Sequence, residues 1–312
     1  MAVHVPASTL HRISDDEARA LVDQLLGASD EWPSDLIEYR LSAPFQADFK
    51  AEWGHWLHTA GLHGVQDEIV TKVLKRAKRE TRVVGVDPND RLNLVLAQEM
   101  APAMFEHYFC GTGWTFGGLE WEHNGGSAGD VDLQLSAPDG TPVMFQVKSP
   151  DQPGLVVNHR LVGGEFDDRV VAAVEKAAGQ LPRSGPEAKI IAVTPNRNWP
   201  LSSTPYCLVT KLIGGTVQFE SGAIVLPKAN LGKFSTPEWK HVSAVVILDY
   251  VRAAPPVYGC TVLLNPWAEV RAPETWFRGG RVAVLDAESF RWAGGQPEDS
   301  MLPDGTRMVD AY

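Results

Sequence analysis

Several large protein classes are excluded by what this chain lacks. Only three cysteines occur in 312 residues, Cys110, Cys207 and Cys260, far apart and never as CxxC, so neither a disulfide framework nor a thiolate zinc site is expected. Positive charge is scarce. Against 39 Asp plus Glu there are 28 Lys plus Arg, a formal net charge of -11, so attraction to a polyanion needs a local basic surface. No stretch approaches about eighteen unbroken apolar residues, and Met1-Ala2-Val3-His4-Val5-Pro6 carries no basic run leading into an apolar one. Neither membrane insertion nor secretion is expected, and the cytoplasm is the expected location. There is no GxxxxGK[ST] or GxGxxG, which removes the usual phosphate cradles of ATP hydrolysis and dinucleotide binding. Internal repeats and low-complexity segments are also missing.

What is present is a composition with 44% hydrophobic and 21% charged residues, suited to a substantial core, and a change of pattern about a third of the way along. Ser14-Asp15-Asp16-Glu17 reads as a capping box that opens a helix to about Leu26. Helical spacing recurs over Phe45 to Thr59, Gln66 to Arg82 and Asn89 to Phe109. Past Gly111-Thr112-Gly113 the period becomes two, across Trp114 to Glu122 and then Val131 to Leu135. Pro138-Asp139-Gly140 is a turn sequence, and Val143 to Val147 alternates again, so the two runs read as a hairpin. A helix from Phe166 to Leu181 and a strand from Lys189 to Val193 follow, giving the order α, β, β, β, α, β. Further strands are expected at Thr216 to Val225, Val242 to Tyr250, Cys260 to Leu264 and Val282 to Leu285, and a loosely held tail from Gly294 to Tyr312. The expected divisions are a helical region over 1–88, a core with a C-terminal β extension over 89–290, and a tail over 291–312.

The hairpin carries the chemistry. On a strand, successive side chains take opposite faces, so Asp130, Asp132 and Gln134 share one face and Val131, Leu133 and Leu135 the other. On the second run Met144, Gln146 and Lys148 separate in the same way from Val143, Phe145 and Val147. If Pro138-Asp139-Gly140 is a three-residue loop with Gly140 left-handed, residues whose numbers sum to 278 lie opposite each other. Asp132 then faces Gln146, and Asp130 faces Lys148. Two carboxylates, an amide and an ammonium on one patch are expensive to desolvate unless a cation or an anionic substrate balances them.

Asp132, a turn, then Gln146-Val147-Lys148 resembles the motif of the PD-(D/E)XK, or restriction-endonuclease-like, nucleases, and Gly125-Gly126-Ser127-Ala128-Gly129 before the acids fits it too. Gln146 replaces the acid of the superfamily's name and is similar to the Mrr-like branch, which carries Gln there. The resemblance covers about Asn89 to Pro195 and implies a mixed α/β, αβββαβ core with an N-terminal helical region and additional C-terminal strands. It implies a metal-dependent endonuclease acting on DNA, with a restriction or defence role. Its catalytic residues would be Asp132, Gln146, Lys148 and Glu99. The metal, Mg²⁺ or Mn²⁺, would be held by Asp132, Gln146, the Val147 carbonyl and Glu99, the last from the preceding helix; Glu106 is the competing helical acid, and Asp130 would support Asp132. Gln146 in place of an acid removes one negative ligand, so weaker binding, or one ion rather than two, is expected.

Other signals are weaker. Lys72, Lys75, Arg76 and Arg79 share a face of one expected helix and could contact phosphates; the plain alternative is a solvated helix face packing through Val70, Val73, Leu74 and Ala77. Gly125 to Gly129 also satisfies GxSxG, the elbow that presents a nucleophilic serine, but that needs a helix directly afterwards where Asp130 to Leu135 alternates as a strand. A serine hydrolase using Ser127 therefore ranks third, behind the nuclease and a catalytically inactive nucleic-acid-binding or interaction module on the same fold. His55, His58 and His63 lie beside Trp53 and Trp56 without a nearby acid or cysteine pattern, and read as structural. Most of the ten tryptophans read as core residues. The sequence is compatible with a homo-oligomer.

Overall fold

Period-two alternation and a left-handed glycine decide the centre of this fold. The computed structural model describes residues 101, 102, 105, 106, 108–121, 131–150, 163–194, 208–214, 217–218, 224–228, 231–253, 256–286, 289–295, 302 and 304–309. Gly140 takes φ +86°, and Pro138-Asp139-Gly140 closes a tight loop in which Ala137 N-H donates to Thr141 O and Gly140 N-H to Ala137 O, both at 2.8 Å. The strands on either side, β2 (Val131–Ser136) and β3 (Pro142–Lys148), pair antiparallel as Leu133 with Phe145, Gln134 with Met144, Leu135 with Val143 and Ser136 with Pro142. All four pairs sum to 278, the register that the turn predicts.

Upstream, positions 101–111 are helical where described and lead into β1 (Thr115–Trp121), antiparallel to β2. Downstream come helix α1 (Gly163–Gln180) and β4 (Ala188–Val193), parallel to β3. This is the α, β, β, β, α, β succession read from the sequence, in a mixed α/β molecule. Beyond it lie β5 (Val217–Gln218), β6 (Ile224–Pro227), β7 (Ala244–Ala253), β8 (Pro256–Leu264), β9 (Arg281–Leu285), β10 (Phe290–Ala293) and β11 (Arg307–Val309). Eight strands form one sheet in the order β1-β2-β3-β4-β7-β8-β9-β10, and β11-β6-β5 form a second.

The large sheet is covered on both faces. Leu133, Leu135, Phe145, Ile190 and Val246 pack under Ala101, Phe105 and Phe109 of the leading helix, with Trp114, Trp276 and Phe277. Met144, Ile191, Val193, Val245 and Ile247 pack under Val170, Val171, Val174, Ala177 and Ala178 of α1. Those α1 positions recur at helical spacing, while Arg169, Ala172, Glu175, Lys176 and Gly179 stay exposed. Asp132, Gln146 and Lys148 share the parity of Met144 and so belong to the α1 face.

Some expectations differ from the outcome. Thr216 to Val225 is not one strand: Val217 pairs with Val225 and Gln218 with Ile224, so the chain reverses between β5 and β6, where the sequence carries the turn signal Ser221-Gly222. The expected tail returns as β11, parallel to β6, and the Trp292 indole donates to Leu302 O at 2.9 Å, because two large aromatics, Phe290 and Trp292, need cover. Glu99, Asp130, Ser127, the histidines of 55–63, the cations Lys72, Lys75, Arg76 and Arg79, and the helical region 1–88 lie outside the described residues.

Candidate functional site

The hairpin is pinned at its turn and opens at its other end. Asp139 Oδ1 accepts the Thr141 N-H at 2.9 Å and Oδ2 accepts the Trp276 indole N-H at 2.8 Å, so these hydrogen bonds hold the Asp139 carboxyl below the usual carboxylate range. At the open end the β2–β3 ladder stops at the Leu133–Phe145 pair. There the Asp132 side chain takes over: its Oδ2 accepts the Val147 backbone N-H at 2.7 Å and the Gln146 Nε2-H at 2.6 Å. Lys148 Nζ stands 4.0 Å from the same oxygen, at the outer limit of an ion pair. Three of the residues singled out from the sequence, Asp132, Gln146 and Lys148, are thus brought together.

Their environments differ in ways that matter chemically. Gln146 is only 2% exposed and its Oε1 has no hydrogen-bond partner among the described residues, which leaves a buried acceptor costing about 1–3 kcal/mol. Burial pushes the Lys148 amine below its ordinary pKa, Asp132 opposes that, and Lys176 on α1 adds to it by repulsion. On the far side of β3 the Thr194 N-H donates to Lys148 O at 3.0 Å. Because N-H and C=O groups alternate sides along a strand, the Val147 carbonyl, one residue earlier, faces β2 and Asp132.

The oxygens available suit a hard divalent cation in part. The Asp132 carboxylate, the orphaned Gln146 Oε1 and the Val147 carbonyl are the donor types that Mg²⁺ or Mn²⁺ prefers. Among the described residues there is no group of three or more His, Cys, Asp or Glu that could hold an ion, so this set supplies one negative charge. One detail departs from the expected ligand set: Gln146 turns its amide nitrogen, not its oxygen, toward Asp132, since a carboxylate facing an N-H gains a hydrogen bond where a facing carbonyl would repel it. Glu106 is fully buried on the leading helix and lies against Cys110, whose thiol is pushed up by burial and by that carboxyl group.

Sequence reasoning passed over several residues here. Ser149 and Thr194 directly follow the ends of β3 and β4; both are buried, and neither hydroxyl has a hydrogen-bond partner among the described residues. Their position just after two parallel strands is a signal that could have drawn notice. Lys176 sits on the exposed face of its helix, and only the fold relates it to Lys148. Trp276 reaches the turn from far along the chain, and nothing local in the sequence marks it. In comparisons with known proteins, no family model, no curated protein and no solved structure matches this chain.

Proposed function

We propose that the chain is a metal-dependent endonuclease of the restriction-endonuclease-like kind, hydrolysing phosphodiester bonds in DNA. The observation that carries this reading is the meeting of Asp132, Gln146 and a half-buried Lys148 on one hairpin face, in the register that the Pro138-Asp139-Gly140 turn predicts. Asp132, the Gln146 carbonyl oxygen and the Val147 carbonyl would hold Mg²⁺ or Mn²⁺, with Glu99 as the acid from the preceding helix. A bound divalent ion would polarise the phosphoryl group and lower the pKa of a bound water.

The chain's own residues do the rest. The Lys148 side chain, its pKa lowered by burial, gives up a proton at Nζ more readily than a solvated lysine, and in its charged form it neutralises growing charge on phosphoryl oxygens. Val147 N-H holds the Asp132 carboxylate in one orientation, so that no reorganisation is needed during reaction.

Incubation with supercoiled plasmid in Mg²⁺, Mn²⁺ or EDTA tests the proposal. Metal-dependent nicking is expected, falling by about a hundredfold or more in Asp132→Ala and in Lys148→Ala. Full activity in either variant sinks the reading. One observation favours a second reading, a nucleic-acid-binding module without turnover: Asp132 Oδ2 is already engaged by two N-H donors of its own hairpin. Binding of the plasmid without cleavage under every metal condition would select it.

A further inference from the structure

Gln146 is held on one side only. Its Nε2 donates to Asp132 Oδ2 at 2.6 Å, while its Oε1, in a residue that is 2% exposed, has no donor among the described residues. The torsion that carries the amide joins a tetrahedral to a planar carbon and is broad and roughly two-fold, so a half turn that exchanges oxygen and nitrogen is sterically close to neutral. Turning forfeits one bond, the one to Asp132, because Oε1 makes none to lose. The turned state puts Oε1 against a carboxylate, an arrangement that is favourable when a cation sits between them. Asp132 does not drift when the amide turns, because the Val147 N-H keeps Oδ2 in place at 2.7 Å.

We propose that Gln146 is a turnable latch on Asp132: closed, its amide N-H occupies the carboxylate; open, its carbonyl oxygen joins the carboxylate around a divalent cation. The inference rests on reading Asp132 to Lys148 as a cation site. It makes Gln146 a positioning residue that sets cation affinity, since every binding event must first break the latch. An acid at this position would have no N-H to release and would add a charge, so this chain holds its ion more weakly and releases it more readily than one with two acids there.

Two measurements on the full chain test the latch. In nuclear magnetic resonance of ¹⁵N-labelled protein in EDTA, the Gln146 side-chain amide, assigned by its disappearance in Gln146→Met, should show one proton far downfield and slow to exchange. On titration with Mg²⁺ that proton should move upfield and exchange faster, with the same midpoint as the calorimetric binding curve. In calorimetry, Gln146→Glu should bind Mg²⁺ about tenfold or more tighter than wild type, and Gln146→Met about tenfold weaker. If Gln146→Met does not fold, Gln146→Glu serves for the assignment as well. Cation binding that leaves the Gln146 amide unmoved, or equal affinity in all three proteins, overturns the latch and leaves the cation site standing. Absence of Mg²⁺ or Mn²⁺ binding in all three removes the cation site, and the latch with it.

Discussion

At the scale of single residues, two bases whose pKa burial lowers matter for different things, Lys148 for what the protein can do and His241 for how it endures acid. Lys148 is charged at a cost, since burial drives its pKa down from the ordinary value of 10.5. Between its lowered pKa and 10.5 the unfolded chain binds more protons than the folded one, so stability rises with pH through that window. Lys148→Met, similar in length and uncharged, should abolish nicking yet leave the melting temperature unchanged or higher, read by calorimetry at neutral pH. A lower melting temperature would show that the ammonium stabilises the fold. His241 is a structural counterpart: 7% exposed, with Nε2 2.8 Å from Ala178 O at the end of α1. Burial is the main cause that holds its pKa below 6.5, with Arg183 and Lys189 adding to it against the raising effect of the Ala178 carbonyl. In the window below 6.5 the unfolded chain again binds more protons, so stability is full above 6.5 and falls as pH drops through the folded value. His241→Gln should flatten that fall, measured as melting temperature against pH from 4 to 8; an unchanged slope would assign acid sensitivity to other groups.

At the scale of the element, the hairpin is the part most open to prediction. Gly140 has φ +86° with nothing near the position of an added Cβ, so Gly140→Ala costs only the left-handed conformation, about 1–2 kcal/mol, visible as a drop in melting temperature of several degrees. Trp276→Phe keeps an aromatic ring beside Trp114 but removes the indole donor to Asp139. It should speed hydrogen exchange at Gly140 and Thr141 more than at Phe145, and uniform exchange across β3 would argue against a local clamp. The register, the faces and the gathering of Asp132, Gln146 and Lys148 could be read from the sequence because they follow from a period of two and one turn. The direction in which Gln146 points its amide could not, since it depends on a hydrogen bond formed only after pairing. Nor could the Trp276 contact, which joins segments far apart in the chain, whereas the reversal between β5 and β6 has a local signal, Ser221-Gly222, that a single strand over Thr216 to Val225 ignores. Glu99, expected as the helical metal ligand, and Asp130, expected to support Asp132, lie outside the described residues.

At the scale of the molecule, strands β7 to β10 belong to the same sheet that carries the site, and β11 ties that sheet's far edge to the second one. Phe290 N-H donates to Thr306 O at 2.7 Å, Gly305 N-H donates to Phe290 O at 3.0 Å, and β11 extends the small sheet alongside β6. Truncation after Gly295 should therefore expose Phe290 and Trp292, lower the melting temperature and raise binding of a hydrophobic dye; an unaffected melting curve would show that the last strand is an ornament. The central pairings carry a consequence for assembly. The β2–β3 hairpin closes over one short turn, whereas β3 meets β4 only across residues 149–187, and β4 meets β7 only across 194–243. Hairpins form in roughly 1–10 μs, while distant parallel pairings wait on the closure of long loops. Pulse-labelled exchange during refolding should find protection at Phe145 and Gly140 before Ile191 and Val246. Asp132, Gln146 and Lys148 would then meet first in water, as an ordinary solvated hairpin, and the burial that hides the Gln146 amide and lowers the Lys148 pKa would come only with the late strands and α1.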